Sequence, residues 1–347
     1  MTPNLQHKLE NIISRNPQAD DREVVFQLKQ LLHEVELQNC ADTEAKSIAG
    51  LVVENIRQLD DEACRNMIIK SGFSDFDTQF GGFRLGEFIV VGGRPAMGKT
   101  QFLVNLSLNI STRVPVLYVT LNLSESLLTS RFISAVSEIP VGNILQNDLD
   151  AKQKNRLFAI ANEFTKHQLF IHDCCDSSIA ALKALCQKQI QENRVQVIIV
   201  DYLQLICSYK HRYRELELSY ICRELKNIAK ENSVCVIASS QLSRSVEYRS
   251  GSEGKRPLLS DLRESGAIEQ DADKVLFIYR PEYYAYFEDA HGNSLINTVE
   301  IIVAKNRNGS LGEFRLFRDD NFTNFRNMKN EITFSSDRLF ELEDAPF

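Results

Sequence analysis

Phe88-Ile-Val-Val-Gly-Gly-Arg-Pro-Ala-Met-Gly-Lys-Thr-Gln101 is the stretch from which the rest of the chain can be read. From Gly93 to Thr100 it fits the pattern G-x-x-x-x-G-K-[ST] at each fixed position. The apolar run Phe88 to Val91 precedes it as a strand, and Gln101 to Ile110 follows it as a helix. Glycines let such a loop curl until its N–H groups point inward at phosphate oxygens, and the helix N-terminus adds its positive dipole end. Gly93, Arg94, Pro95, Ala96, Met97, Gly98, Lys99, Thr100 and Gln101 are therefore the candidate contacts of a nucleoside triphosphate. Lys99 would reach the β- and γ-phosphates, and the Thr100 hydroxyl would ligate Mg²⁺.

Downstream, apolar strand candidates alternate with helical segments. The strands are Val114 to Thr120, Leu169 to Ile171, Val195 to Val200, Val234 to Ala238, Lys274 to Tyr279 and Val299 to Ala304. The helices are Glu125 to Val136, Ala151 to Thr165, Ile179 to Glu192 and Arg214 to Glu231. This alternation predicts an α/β fold with a mainly parallel sheet between helices, and an antiparallel extension where the last strands lack a helix between them. Upstream, residues 1–70 read as a small helical region, with apolar residues at three- and four-residue spacing over Leu5 to Ile13, Glu23 to Leu37 and Glu44 to Leu59. Residues 71–347 would form the nucleotide-binding domain.

The 347 residues carry a net charge of −7, with 43% hydrophobic and 25% charged residues. An acidic balance gives no global attraction to nucleic acid, so such binding has to come from local basic loops. The eight cysteines include no C-x-x-C pair and read as reduced packing residues, and no apolar run approaches a membrane span. A cytoplasmic protein without a membrane partner is expected.

Four further elements bear chemistry. Val197-Ile-Ile-Val-Asp201 ends an apolar strand in a carboxylate, the arrangement that holds Mg²⁺ behind a phosphate loop. Ser239-Ser240-Gln241 places a glutamine at a strand end, where it can hydrogen-bond a γ-phosphate or serve as an ordinary polar loop. Ser260 to Asp273 is rich in charge and includes a glycine, which suits a loop gripping a phosphate backbone through N–H groups and Arg263, although a solvated surface loop has the same composition. Lys305-Asn-Arg307-Asn-Gly309 marks a hairpin after a strand, and an arginine there can act as a finger on a neighbour's nucleotide or be a plain basic turn.

Together these residues resemble the replicative DnaB-type hexameric helicases, in their RecA-like C-terminal motor. The resemblance runs from about Ser71 to Phe325 and rests on R-P-A-M-G-K-T (94–100), D-Y-L-Q-L-I (201–206), S-Q-L-S-R-S-V-E (240–247), the Ser260 to Asp273 segment and K-N-R-N-G (305–309). It implies ATP and Mg²⁺ as cofactors and a homohexameric ring around single-stranded DNA. It also implies a loader or other replication proteins as partners, and 5′-to-3′ helicase activity. It makes Gln241 the γ-phosphate sensor, Arg307 with Lys305 the finger acting in trans, and Arg263, Glu264 and Gly266 the DNA-gripping loop. Lys99 and Asp201 complete the catalytic set.

Two departures stand out. The family carries S-L-E-M after its second strand, with the glutamate activating the attacking water. This chain has Thr120-Leu121-Asn122-Leu123, so an amide that orients water but takes no proton replaces a general base. The family also has a larger N-terminal domain that meets primase; here about 70 residues precede the motor without a match, and Glu44 to Leu59 is placed as the linker helix that docks on a neighbouring subunit. The alternative that these departures leave open is a hydrolysis-poor, nucleotide-dependent DNA-binding scaffold derived from a helicase.

Overall fold

A computed structural model describes residues 47–59, 68–208, 213–262 and 266–328. The chain divides into two units, Met1–Arg65 and Asn66–Phe347. In the first, α1 (Ile48–Leu59) carries exposed Ile48, Val52 and Ile56 one turn apart, with exposed Val53 beside them. The helices expected over 5–13 and 23–37 lie outside the described residues.

The second unit is built on β3 (Phe88–Gly93), in which every residue is buried. A nine-stranded sheet forms around it in the order β11-β10-β9-β8-β3-β7-β6-β4-β5. Here β4 is Val116–Thr120, β5 Leu169–Asp173, β6 Val197–Asp201, β7 Cys235–Gln241 and β8 Lys274–Tyr279. Strands β9 (Thr298–Asn306), β10 (Gly312–Arg318) and β11 (Phe325–Asn327) complete it. A two-residue pair, β1 (Ile68–Ile69) with β2 (Phe83–Arg84), stands apart from this sheet. Strands β3 to β8 pair in parallel, whereas β8, β9, β10 and β11 pair antiparallel, so the extension expected at the end of the chain is present.

Both faces of the sheet are covered, which is why its inner strands read as unbroken apolar runs. Ile89 and Val91 face one core with Tyr118, Ile199 and Ile237, while Phe88 and Val90 face the other with Val119, Val200 and Val236. The first core is closed by α2 (Ser74–Phe80), α3 (Lys99–Ser111) and α4 (Glu125–Ser137), and the second by α7 (Ile179–Asn193) and α8 (Arg214–Asn232). Between them in sequence lie α5 (Val141–Gln146) and α6 (Ala151–Phe164). The expected strands and helices differ from these only by a few residues at their ends. Strands β1, β2, β10 and β11 and helices α2 and α5 are additional to the expected set, being short or mixed in character. No helix among the described residues is long and apolar enough to cross a membrane.

The amino edge of the sheet holds a buried ion pair. Lys274 Nζ lies 2.7 and 2.6 Å from the two Glu87 carboxylate oxygens, and both residues are nearly inaccessible. Asn308 Nδ2 and the Arg84 N–H donate to the same carboxylate, so its lone pairs are satisfied. Removing one partner leaves an uncompensated buried charge, which costs more than the intact pair contributes. Lys274→Ala is therefore expected to lower unfolding free energy by roughly 3–5 kcal/mol, and the double variant Lys274→Met with Glu87→Leu by much less. Urea denaturation of the three proteins checks the difference.

Candidate nucleotide-binding site

The carboxyl ends of the parallel strands bring the candidate residues to one edge of the sheet, the edge at which open α/β sheets bind ligands. Gly93 lies in register with Gln241, and Thr120 is in register with Asp201 on one side and Asp173 on the other. Between β3 and α3 the loop turns through Ala96 and Gly98, both at positive φ (64° and 94°). At Gly98 a side chain would be barred twice over: by backbone conformation, and by the Phe322 and Phe325 rings 2.8 and 3.1 Å from where a Cβ would stand.

Lys99 Nζ donates to the Gly93 carbonyl at 2.8 Å and the Arg94 carbonyl at 3.2 Å. Burial, opposed by the attraction of Asp201 and reinforced by the repulsion of Arg94, lowers its ammonium to about 8. Thr100 Oγ1 donates to Asp201 Oδ2 at 2.7 Å. Two more hydroxyls converge on that carboxylate: Tyr118 donates to Oδ2 at 3.1 Å and Ser239 donates to Oδ1. Burial first, then Asp201 itself, pushes the Tyr118 hydroxyl well above its ordinary range, so it remains a donor. Thr100 and Asp201 offer adjacent hard oxygen donors of the kind Mg²⁺ takes when phosphates and water supply its remaining positions. Among the described residues, no group of three or more acidic, histidine or cysteine side chains is placed to cage a metal.

Gln241 is positioned by Gln204. The Gln204 Oε1 atom accepts the Gln241 N–H at 3.1 Å, and its Nε2 donates to Ser240 Oγ at 2.8 Å. Asn122 lies just past the end of β4 and is exposed, as is Glu125 at the start of α4, whose N–H donates to Asp173 Oδ2 at 3.3 Å. Two loop side chains turn elsewhere. The Arg94 guanidinium points to Glu247 and the Leu242 carbonyl, and the Gln101 amide donates to the Thr323 carbonyl. Pro95 and Ala96 are exposed, while Met97 is buried in the core.

A cleft of about 410 Å³ opens beside the loop, lined by Ala96, Gly98, Lys99, Thr100, Gln101, Arg131, Arg280 and Phe322. Arg131, Arg280 and Phe322 belong to no motif. Arg280 donates to the Ala96 carbonyl at 3.0 Å, and the Arg280 and Arg318 guanidinium carbons lie 4.6 and 5.0 Å from the Phe322 ring centre. Arg131 Nε, Arg280 Nε and Gln101 Oε1 are buried polar atoms without a hydrogen-bond partner. Donors and an aromatic platform around a phosphate loop fit a nucleotide's charged and flat parts.

The remaining candidates lie elsewhere. Lys305 donates to the Glu269 and Gln270 carbonyls, and Arg307 donates to the Gln270 carbonyl and to Asp273 Oδ1 at 3.2 Å. Asn306 is in register with Lys274, so both cations sit at the amino edge, opposite the phosphate loop. Gly266 opens the short helix Gly266–Asp271, and Arg263 and Glu264 lie outside the described residues.

The family described as the DnaB-like helicase C terminal domain matches residues 68–327. The chain is 40% identical over 293 residues to the replicative DNA helicase DnaB of Rickettsia felis, covering 77% of this chain and 58% of that protein. It is 35% identical over 291 residues to the replicative DNA helicase DnaC of Bacillus subtilis, covering 83% and 62%. The chain thus spans about 60% of the length of these relatives. Among solved structures it resembles a DnaB-like replicative helicase studied with primase, with a TM-score of 0.75 at 29% identity over 94% of this chain and 76% of that one. A second solved structure, of an isolated ATPase domain, gives a TM-score of 0.73 at 31% identity, covering 82% of this chain and all of that one. The fold is therefore the mostly parallel, RecA-like one, and the chain belongs to the family of DnaB-like helicase C-terminal domains.

Proposed function

We propose that the chain is an ATP-driven DNA helicase motor of DnaB type, working as a homohexameric ring on single-stranded DNA. One observation carries this reading: Lys99, Thr100, Asp201 and Gln241 share the carboxyl edge of the sheet, while Arg307 stands on the opposite edge of the same unit. Arg307 cannot reach its own phosphate loop, so it would act on a neighbour's, and two edges used in this way generate a head-to-tail ring. The exposed apolar stripe of α1 is assigned to docking on an adjacent subunit. A loader and other replication proteins are proposed partners.

Within one site, the loop N–H groups and the Lys99 ammonium hold the phosphates, and the Phe322 ring with Arg280 offers a surface for the base. Thr100 and Asp201 would hold Mg²⁺, which supplies charge neutralisation to the phosphates when bound. Gln241, its backbone fixed by Gln204, senses the γ-phosphate from the neighbouring strand end. Asn122 orients the attacking water without accepting its proton. The segment carrying Arg263, Glu264 and Gly266 would grip the DNA backbone, through the Arg263 guanidinium and backbone N–H groups, giving sequence-independent, salt-sensitive binding.

ATP turnover by the purified chain, with and without single-stranded DNA, tests the assignment. Turnover is expected to rise with DNA, to vanish in Lys99→Ala, and to increase by up to about 10²-fold in Asn122→Glu, which restores a base. A wild-type chain that binds ATP yet stays silent with DNA present would sink the motor reading. A second measurement follows from the Lys99 ammonium. Phosphate pairing needs the protonated amine, so affinity for a fluorescent ATP analogue should be flat below about pH 8 and then weaken by up to tenfold per unit as the amine empties. Lys99→Arg, which does not titrate, should show no such fall.

A further inference from the structure

Arg94 lies inside the phosphate loop yet sends its charge away from it. The residue is only 6% exposed, and its guanidinium is fully directed: Nε and one terminal nitrogen donate to Glu247 Oε1 at 2.9 and 2.6 Å, and the other donates to the Leu242 carbonyl at 2.8 Å. Its own carbonyl accepts from Lys99 Nζ. Both partners belong to the segment that leaves Gln241: Leu242 also donates its N–H to the Gly93 carbonyl, and Glu247 lies in the single turn Arg244–Tyr248.

That segment is itself tied to the root of the loop assigned to DNA. Leu242 bridges to Leu262, and the Ser243 N–H donates to the Asp261 carbonyl at 2.8 Å. The Asp261 carboxylate, buried, accepts from Arg249 at 2.6 Å and from the Leu258 N–H at 2.7 Å. Leu262 is the residue before Arg263. Hydrogen bonds joined by short stretches of backbone therefore lead from the Lys99 ammonium, through Arg94 and the Leu242–Ser243 strand end, to Asp261 and Leu262 just before Arg263, with Glu247 holding the Arg94 guanidinium on that path.

We propose that Arg94 and Glu247 are positioning residues that couple the phosphate loop to the DNA loop, so that nucleotide and single-stranded DNA change each other's affinity through this ion pair. The proposal rests on the helicase reading above. Coupling of this kind is reciprocal and is typically worth about 5- to 150-fold in affinity. A simple strut would stabilise the fold and leave that factor unchanged, which is what separates the two roles.

Anisotropy of a labelled oligothymidylate, titrated with the full chain in the presence and absence of a non-hydrolysable ATP analogue, gives two dissociation constants whose ratio is the coupling factor. The wild-type ratio should differ from one by at least about fivefold, and Glu247→Ala should bring it to within about twofold of one. Glu247→Gln keeps an oxygen for the guanidinium but loses the charge assistance, so it should give an intermediate ratio. It also stands in if the alanine variant does not fold. A ratio unchanged in these variants while thermal stability falls makes the pair a strut and overturns the proposal. So does a wild-type ratio of one. A wild-type chain that binds no oligonucleotide overturns the helicase reading itself, and the coupling with it.

Discussion

The Asp201 carboxylate is the point on which the site is assembled. Thr100 reaches it from the start of α3, Tyr118 from β4 and Ser239 from β7, while Asp201 itself ends β6. Three separate elements are thus pinned to one carboxylate at the carboxyl edge. A buried carboxylate is tolerated only with such donors, because leaving its lone pairs unmatched would cost more than the fold gains from burying it. The same requirement sets the relative heights of β4, β6 and β7. It thereby fixes where Asn122 and Gln241 emerge from the sheet. Register, in this fold, is held by chemistry at the site as much as by the apolar alternation of the strands.

The division of labour between the two edges follows from strand direction. Parallel strands present their carboxyl ends together, and the loop after β3 inherits the helix dipole of α3 there. The antiparallel hairpin of β9 and β10 reverses direction, so its turn delivers Lys305 and Arg307 to the other edge. The antiparallel extension thus places both cations at the edge of the sheet away from the phosphate loop of the same chain. The partners of Arg307 in this chain, the Gln270 carbonyl and Asp273, belong to the segment that follows the loop assigned to DNA.

Motif residues are legible in the sequence because their chemistry is fixed at short spacing. Lys99 and Thr100 must follow Gly98 for the loop to work, and Asp201 must close an apolar run. The sheet is legible because period-two burial on both faces leaves runs such as Val197 to Val200 with no polar residue. Arg280 and Phe322 are not. They reach the loop across 184 and more residues through tertiary packing, and a phenylalanine in a polar tail looks like any other. Tyr118 gives a faint signal, as a hydroxyl inside an otherwise apolar strand. Gln204 stands in a motif without an evident role, because its partner is backbone 37 residues on. Arg94 reads as a phosphate contact from its place in the loop, and position in a motif does not determine where a long side chain points.

That last case bears on the electrostatics of the loop. Arg94 and Lys99 are two cations on one short turn, and Arg94 contributes to the lowered value of the Lys99 ammonium. Directing Arg94 onto Glu247 matches its charge with a carboxylate at 2.6 Å, leaving Lys99 as the loop cation that faces the cleft. A cation held partly desolvated gains more from an incoming phosphate than a hydrated one, since less water is displaced when the pair forms and the local dielectric is low. The loop carbonyls of Gly93 and Arg94 keep the Lys99 amine in place at 2.8 and 3.2 Å, so its side chain is ordered before any phosphate arrives. Ordering and desolvation are met during folding, with the ion pair to Glu247 as the counterweight, and the interaction with phosphate is stronger for it.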